Sequence, residues 1–252
     1  MSLDASKTTK HAAEIQLNNA LDGTPSRWPT VVRLHWSLEA LHLTFLCEDD
    51  HPWATLTEHD DPLWQEEVVE VFLAPGEKTP TSYIEVEINP LGAVFDASVQ
   101  NPDGLRSTMT VDTGWHWTDL RRHVDIEPDG SWSIQLDLPW KALELDALGS
   151  DRPLPRIWRA NFLRVERPKG PDQPTADEYS AWSPTLRDPA DFHVPDRFGF
   201  LLLTNPDSET SDSKNHDADA SRVTPISEIP GKLIEAGADL PVLHVPFRPT
   251  LR

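Results

Sequence analysis

Short strand-like segments separated by turn signals most constrain the fold of this chain. The segments are rich in β-branched, leucine and aromatic side chains, and prolines (24 in all) argue against long helices. Turn residues at 89–92 (NPLG) and 128–131 (PDGS) fit between them. One short helix is predicted over residues 139–143, behind Pro139. The pattern predicts an all-β protein, an antiparallel β-sandwich of immunoglobulin-like or jelly-roll-like type, with strands near 31–36, 41–48, 68–75, 83–90, 93–99, 132–139, 158–166 and 198–203.

Composition divides the chain of 252 residues into four parts. Residues 1–26 are predicted to be a partly ordered leader, and residues 27–204 the sandwich. Residues 205–222 contain no apolar side chain larger than alanine and several acids, which predicts a disordered acidic linker. The tail, residues 223–252, regains apolar residues and is a candidate for docking or for binding a protein partner.

The net charge of −20 repels phosphate backbones, so nucleic acid is not expected as a partner. The sequence contains no apolar run long enough to span a membrane, and no membrane partner is expected. The first residues carry no secretory signal, which predicts a cytoplasmic protein unless a leader has been removed. The single cysteine, Cys47, is predicted to be a small buried hydrophobe.

Two segments, residues 60–75 and 82–97, place carboxylates inside strand-like apolar patterns. Because side chains alternate along a strand, Glu85 and Glu87 share one face, and Ile84 and Val86 share the other. Trp64 precedes the first of these strands by four residues. Acceptors beside an aromatic ring suit a sugar, which has an apolar C–H face and hydroxyl groups at its rim. The alternative for Trp64 is a ring that only covers the edge of the sandwich.

The same motifs, followed by GSWSIQLDLPWKAL, WRANFLRVER, YSAWSPT and DFHVPDRFGFLLL, resemble carbohydrate-binding module family 9 in its standalone DOMON-like form. The resemblance spans roughly residues 28–204. It implies a β-sandwich that grips a glycan between two tryptophans, with Trp64 as the first and Trp182 as the second. It also implies that Glu70 binds hydroxyl groups, that structural Ca²⁺ is present in some members, and that the protein acts in carbohydrate catabolism without being a catalyst.

Further candidates carry alternatives that the sequence leaves open. Glu85, Asn89 and Arg164 are expected to bind ligand hydroxyls, although Asn89 can instead serve its Asn-Pro turn and Arg164 can form a structural ion pair. Oxygen ligands for Ca²⁺ are expected from Asp60, Asp61 and Asp96.

Two other function classes compete with glycan binding. Paired strand carboxylates can act as a glycoside hydrolase pair, and Glu85 and Glu87 are about 6.6 Å apart along an ideal strand. DOMON-like sandwiches also include haem proteins. Met109, the only internal methionine, lies in a polar segment, so no haem is expected.

Overall fold

The computed structural model describes residues 12–143, 154–168, 170–172, 176–204 and 239–249. In this part of the chain all regular structure is strand or short 3-10 turn, and no helix has the length and apolarity needed to cross a membrane. The all-β antiparallel sandwich is confirmed. The helix expected at 139–143 is a single 3-10 turn, Trp140–Leu143. The predicted acidic linker, 205–222, lies outside the described residues.

Two sheets form the sandwich. The first has the order β1-β3-β4-β10-β9, and all its pairings are antiparallel. Its strands are β1 (Ala13–Gln16), β3 (Thr30–Trp36), β4 (Ala40–Cys47), β9 (Arg121–Ile126) and β10 (Trp132–Pro139). Strand β3 alternates strictly between buried and half-buried residues, as expected for a strand with one face on the core.

The second sheet has the order β14-β13-β11-β5-β6-β7-β8, and β12 joins β11 to β2. All pairs are antiparallel except β13 with β14. Two of its strands come from segments predicted to be leader and tail. The strands are β2 (Asn18–Asn19), β5 (Val68–Pro75), β6 (Ser82–Ile88), β7 (Val94–Gln100), β8 (Thr110–Asp112), β11 (Ile157–Glu166), β12 (Glu178–Ala181), β13 (Gly199–Thr204) and β14 (Val242–Pro246).

Both faces of this second sheet are covered. Val69, Val71 and Leu73 of β5 pack into the core between the sheets, whereas Val68 and Phe72 point to the opposite face. Loop residues such as Leu63, Phe192 and Phe198 lie over that opposite face and form a second apolar cluster. Seven successive residues of β5 are therefore buried, with no solvent-facing side. This loop-covered face is where the strand carboxylates lie.

Candidate carbohydrate site

Three glutamates meet on the loop-covered face of the second sheet. Glu70 on β5 lies directly opposite Glu87 on β6, and Glu85 is two residues along β6 on the same face. One carboxylate oxygen from each lies within 4.8 Å of the others, and all three side chains are buried. The alternation predicted for β6 is thus observed, because Val86 and Ile88 point into the core between the sheets.

Burial favours the neutral form of these carboxyl groups. Desolvation raises the pKa of Glu85 to about 7. It also raises the pKa of Glu70 and Glu87 well above their usual range, and the neighbouring carboxylates raise them further. Glu85 and Glu87 lie close enough to influence each other's pKa. A protonated carboxyl both donates and accepts, so the cluster offers both kinds of partner that a hydroxyl group needs.

The three glutamates line a cavity of about 490 Å³, a size typical of small-molecule sites. Trp64 lies at its rim, 45% exposed, and its indole packs edge-on against Phe95 with 5.2 Å between ring centroids. Tyr179 and Phe192 line the same cavity and contact each other edge to face at 5.9 Å. Aromatic surface and carboxyl groups therefore share one concave space.

Two arginines also line the cavity. Arg106 is largely exposed and pairs with Asp191, with 2.8 Å from Nη2 to Oδ1. Arg167 donates from Nη2 to the Trp64 carbonyl at 2.9 Å and from Nε to the Glu66 carbonyl at 3.2 Å, and it forms an ion pair with Asp177. Arg167 thus holds the backbone of Trp64 in place.

His193 supports the floor of the cavity from below. Its Nδ1 lies 2.7 Å from the Tyr83 hydroxyl, and its Nε2 lies 3.6 Å from Glu85 Oε1. Burial lowers the pKa of His193 to about 3, so the ring is neutral at pH 7. A neutral imidazole leaves the Glu85 carboxyl without a cationic partner on this side.

Of the predicted ligand-binding residues, Trp64, Glu70 and Glu85 line the cavity, and Asn89 does not. The Asn89 side chain is fully buried. It accepts from the Ala93 amide at 2.9 Å and donates to the Leu56 carbonyl at 2.8 Å. It therefore closes its own turn and anchors the loop that leads to Trp64.

Arg164 also lies away from the cavity, in a fully buried ionic network. Its guanidinium donates to Asp49 Oδ2 at 2.8 Å, to Glu166 Oε2, and to the Glu48 carbonyl at 2.9 Å. The ring of Trp132 lies 5.5 Å from it. The structural ion pair, rather than hydroxyl binding, accounts for Arg164, because no ligand can reach a side chain with no exposed surface.

The expectation that Trp182 forms the second aromatic wall is not met. Trp182 packs against Phe162 in the core between the sheets, with ring centroids 5.7 Å apart. Its ring lies so close to Gly199 that a Cβ there would approach within 2.6 Å. Tyr179 and Phe192, which the sequence interpretation did not select, lie on the cavity instead.

The predicted calcium ligands come together only in part. Asp60 and Asp96 lie in one group with His59 and His116. Asp61 instead accepts a hydrogen bond from the Glu58 amide at 2.9 Å. Calcium prefers six to eight oxygen ligands, so two carboxylates with two imidazoles fit it poorly.

A hydrolytic role for the carboxylates has little support in the geometry. An inverting pair needs about 6.5–9.5 Å between carboxyl groups so that a water fits between them. Here one carboxylate oxygen of each glutamate lies within 4.8 Å of the other two. This spacing is shorter than an inverting pair needs.

Comparisons with known proteins support the family and the fold. Residues 5–203 match the model of carbohydrate-binding family 9. A relative from Arthroderma benhamiae, named "Extracellular protein", is 27% identical in an alignment of 184 positions that covers 69% of this chain and 78% of that protein.

Two solved structures are similar to this chain, and the first shares its architecture. A proposed carbohydrate-binding protein from Bacteroides uniformis is 17% identical with a TM-score of 0.57, over 76% of this chain and 86% of that one. A family 9 module from Caldicellulosiruptor kristjanssonii, solved in complex with cellotriose, is 14% identical with a TM-score of 0.49, over 80% of this chain and 89% of its own. The resemblance predicted from the sequence motifs is confirmed by the family match, and the chain belongs to carbohydrate-binding family 9.

Proposed function

We propose that this chain binds carbohydrate, without catalysis, in the cavity beneath Trp64. The observation that carries the proposal is one exposed indole at the rim of a cavity floored by three carboxyl groups. An apolar sugar face would stack on Trp64, and Tyr179 and Phe192 would line the other side. The hydroxyl groups would then meet Glu70 and Glu85.

The floor suits a neutral ligand better than an anionic one. Burial favours the neutral form of its glutamates, and any that ionise would repel an acidic sugar. The arginines at the rim are already held by Asp191 and Asp177. We therefore expect neutral oligosaccharides to bind more tightly than uronic-acid oligosaccharides of equal length.

A titration panel tests both statements. The untagged protein is titrated calorimetrically with cello-, xylo- and malto-oligosaccharides and with an oligogalacturonate, and reducing-sugar release is followed in the same mixtures. Binding to at least one neutral glycan without release of product supports the proposal. Heat with none of the neutral glycans, or turnover that Glu85→Gln abolishes, would contradict it.

The cellular location also remains a proposal. The sequence predicted the cytoplasm, whereas the fungal relative is named an extracellular protein. A glycan-binding cavity is compatible with either place. Fractionation of the native host with an antibody against this chain distinguishes the two.

A further inference from the structure

We propose that His59, Asp60, Asp96 and His116 form a binding site for a divalent transition-metal ion of the zinc class. The four residues come from the loop before Trp64, from β7 and from the segment that follows β8. They lie outside the residues that line the carbohydrate cavity. Two imidazoles and two carboxylates are a donor set that zinc and its neighbours in the first row accept.

Four of the six distances between the donor atoms are close to those around a tetrahedral ion, and all six lie within 4.8 Å. His59 Nε2 lies 3.1 Å from His116 Nδ1, 3.4 Å from Asp60 Oδ1 and 3.5 Å from Asp96 Oδ1. His116 Nδ1 lies 3.1 Å from Asp96 Oδ1. Bonds of about 2.0–2.1 Å to one tetrahedral zinc place neighbouring ligand atoms about 3.3–3.4 Å apart.

Protons alone leave one unfavourable contact in this arrangement. If His116 Nδ1–H donates to Asp96 and His59 Nε2–H points at Asp60, the two ring nitrogens face each other as donors 3.1 Å apart. Asp60 Oδ1 is shielded from water and has no hydrogen-bond partner among the described residues, although it faces His59. A single cation at the centre would satisfy all four atoms.

The surroundings hold these ligands in place and leave access for an ion. Asp96 is buried, and its second oxygen accepts from the Trp117 amide at 2.8 Å, which leaves Oδ1 free to face the site. The Asp60 amide donates to the Val94 carbonyl at 3.0 Å and so fixes that loop to the start of β7. Both imidazoles are about half exposed, so an ion can enter from solvent. A bound ion would fasten the loop that leads into Trp64 to β7.

Cobalt and zinc provide the test on the untagged full-length chain. Co²⁺ is added first, because four-coordinate Co²⁺ has strong visible d–d bands, and Zn²⁺ is then added to displace it. We expect one equivalent of Co²⁺ in a four-coordinate spectrum, displaced by one equivalent of Zn²⁺. Zn²⁺ should raise the melting temperature, and Ca²⁺ at the same concentration should not.

Variants locate the site. His59→Ala and His116→Ala should each weaken Zn²⁺ binding at least ~10-fold, the loss seen even for residues that only support metal ligands. His123→Ala is the matched control, because His123 is an exposed histidine that contacts a single carboxylate, Asp125, at 3.2 Å. Circular dichroism checks that each variant is folded.

Three results would overturn the proposal. They are absence of the four-coordinate spectrum at excess Co²⁺, Zn²⁺ affinity that is unchanged in both folded ligand variants, and equal stabilisation by Ca²⁺ and Zn²⁺.

Discussion

Trp64→Ala should weaken glycan binding by about one to two orders of magnitude while leaving the fold intact. Aromatic side chains bury about 150–250 Å² when fully enclosed, so an indole that is 45% exposed offers roughly 70–110 Å² to a sugar. Covering that surface contributes about 2–3 kcal/mol at ~25 cal/mol per Å². A stacked sugar covers only one side of the ring, so about half of this contribution, roughly 1–1.4 kcal/mol, is expected from burial. Stacking on the aromatic face adds about 0.5–1.5 kcal/mol, and the total of about 1.5–2.9 kcal/mol is roughly a 10- to 100-fold rise in Kd.

Calorimetric titration with the best glycan of the panel measures this change. Trp28→Ala is the matched control, because Trp28 is partly buried and does not line the cavity. Trp64→Phe should retain part of the affinity that Trp64→Ala loses, because the smaller ring still stacks on the sugar. If the glycan binds Trp64→Ala as tightly as the unchanged chain, and the variant is folded by circular dichroism, the sugar does not stack on this indole and the proposed site is wrong.

Three further predictions concern stability and the assignment of residues. Arg164→Met leaves Asp49 and Glu166 buried without their cation, so the free energy of unfolding measured in urea should fall by about 3–5 kcal/mol. An unchanged free energy of unfolding would refute the structural role of the network. Glu85 is neutral in the folded chain up to about pH 7 but ionises near 4.5 when unfolded, so the folded chain holds an extra proton between these values. The free energy of unfolding should fall as pH rises through this window, and Glu85→Gln should flatten that fall, which denaturant titrations at several pH values can measure. Trp182→Ala should cost about 3–5 kcal/mol of stability because it opens a cavity in the core, yet it should leave the glycan affinity of the folded protein unchanged. Phe192→Ala should instead weaken glycan binding, because Phe192 lines the cavity. Calorimetry with both variants would contradict the assignment if only Trp182→Ala weakened binding.

The parts of the fold that were predictable are those encoded by a local apolar pattern. Strand β5 was recognised as a nearly continuous apolar run. Strand β6 was recognised because its apolar residues recur at every second position, and this alternation placed Glu85 and Glu87 on one face. Strand β9 was missed because five of its six residues are exposed, so no apolar pattern marks it. Strand β14 was missed because it pairs with β13 across a long separation in sequence.

The site was predictable only where it is local. Trp64, Glu70 and Glu85 lie within 22 residues of one another, and a single pair of strands brings them together. Tyr179 on β12 and Phe192 on a loop reach the same cavity from more than 90 residues away, and no short pattern encodes that approach. Arg164 shows the same limit. An arginine in an apolar strand is compatible with a buried ion pair and with a ligand contact. Only the position of its partner Asp49, 115 residues away in the sequence, decides between the two.

The most direct test of glycan binding at this site is an NMR titration that follows the indole N–H signals of the ten tryptophans. Trp64 is exposed at the rim of the cavity, whereas Trp36, Trp132, Trp158 and Trp182 are buried in the core between the sheets. Binding in the cavity predicts that the Trp64 signal, assigned with Trp64→Phe, moves with a saturable dependence on glycan while these four core signals stay in place. If the indole signal of another tryptophan shifts saturably while the Trp64 signal stays in place, glycan binding at this cavity is contradicted.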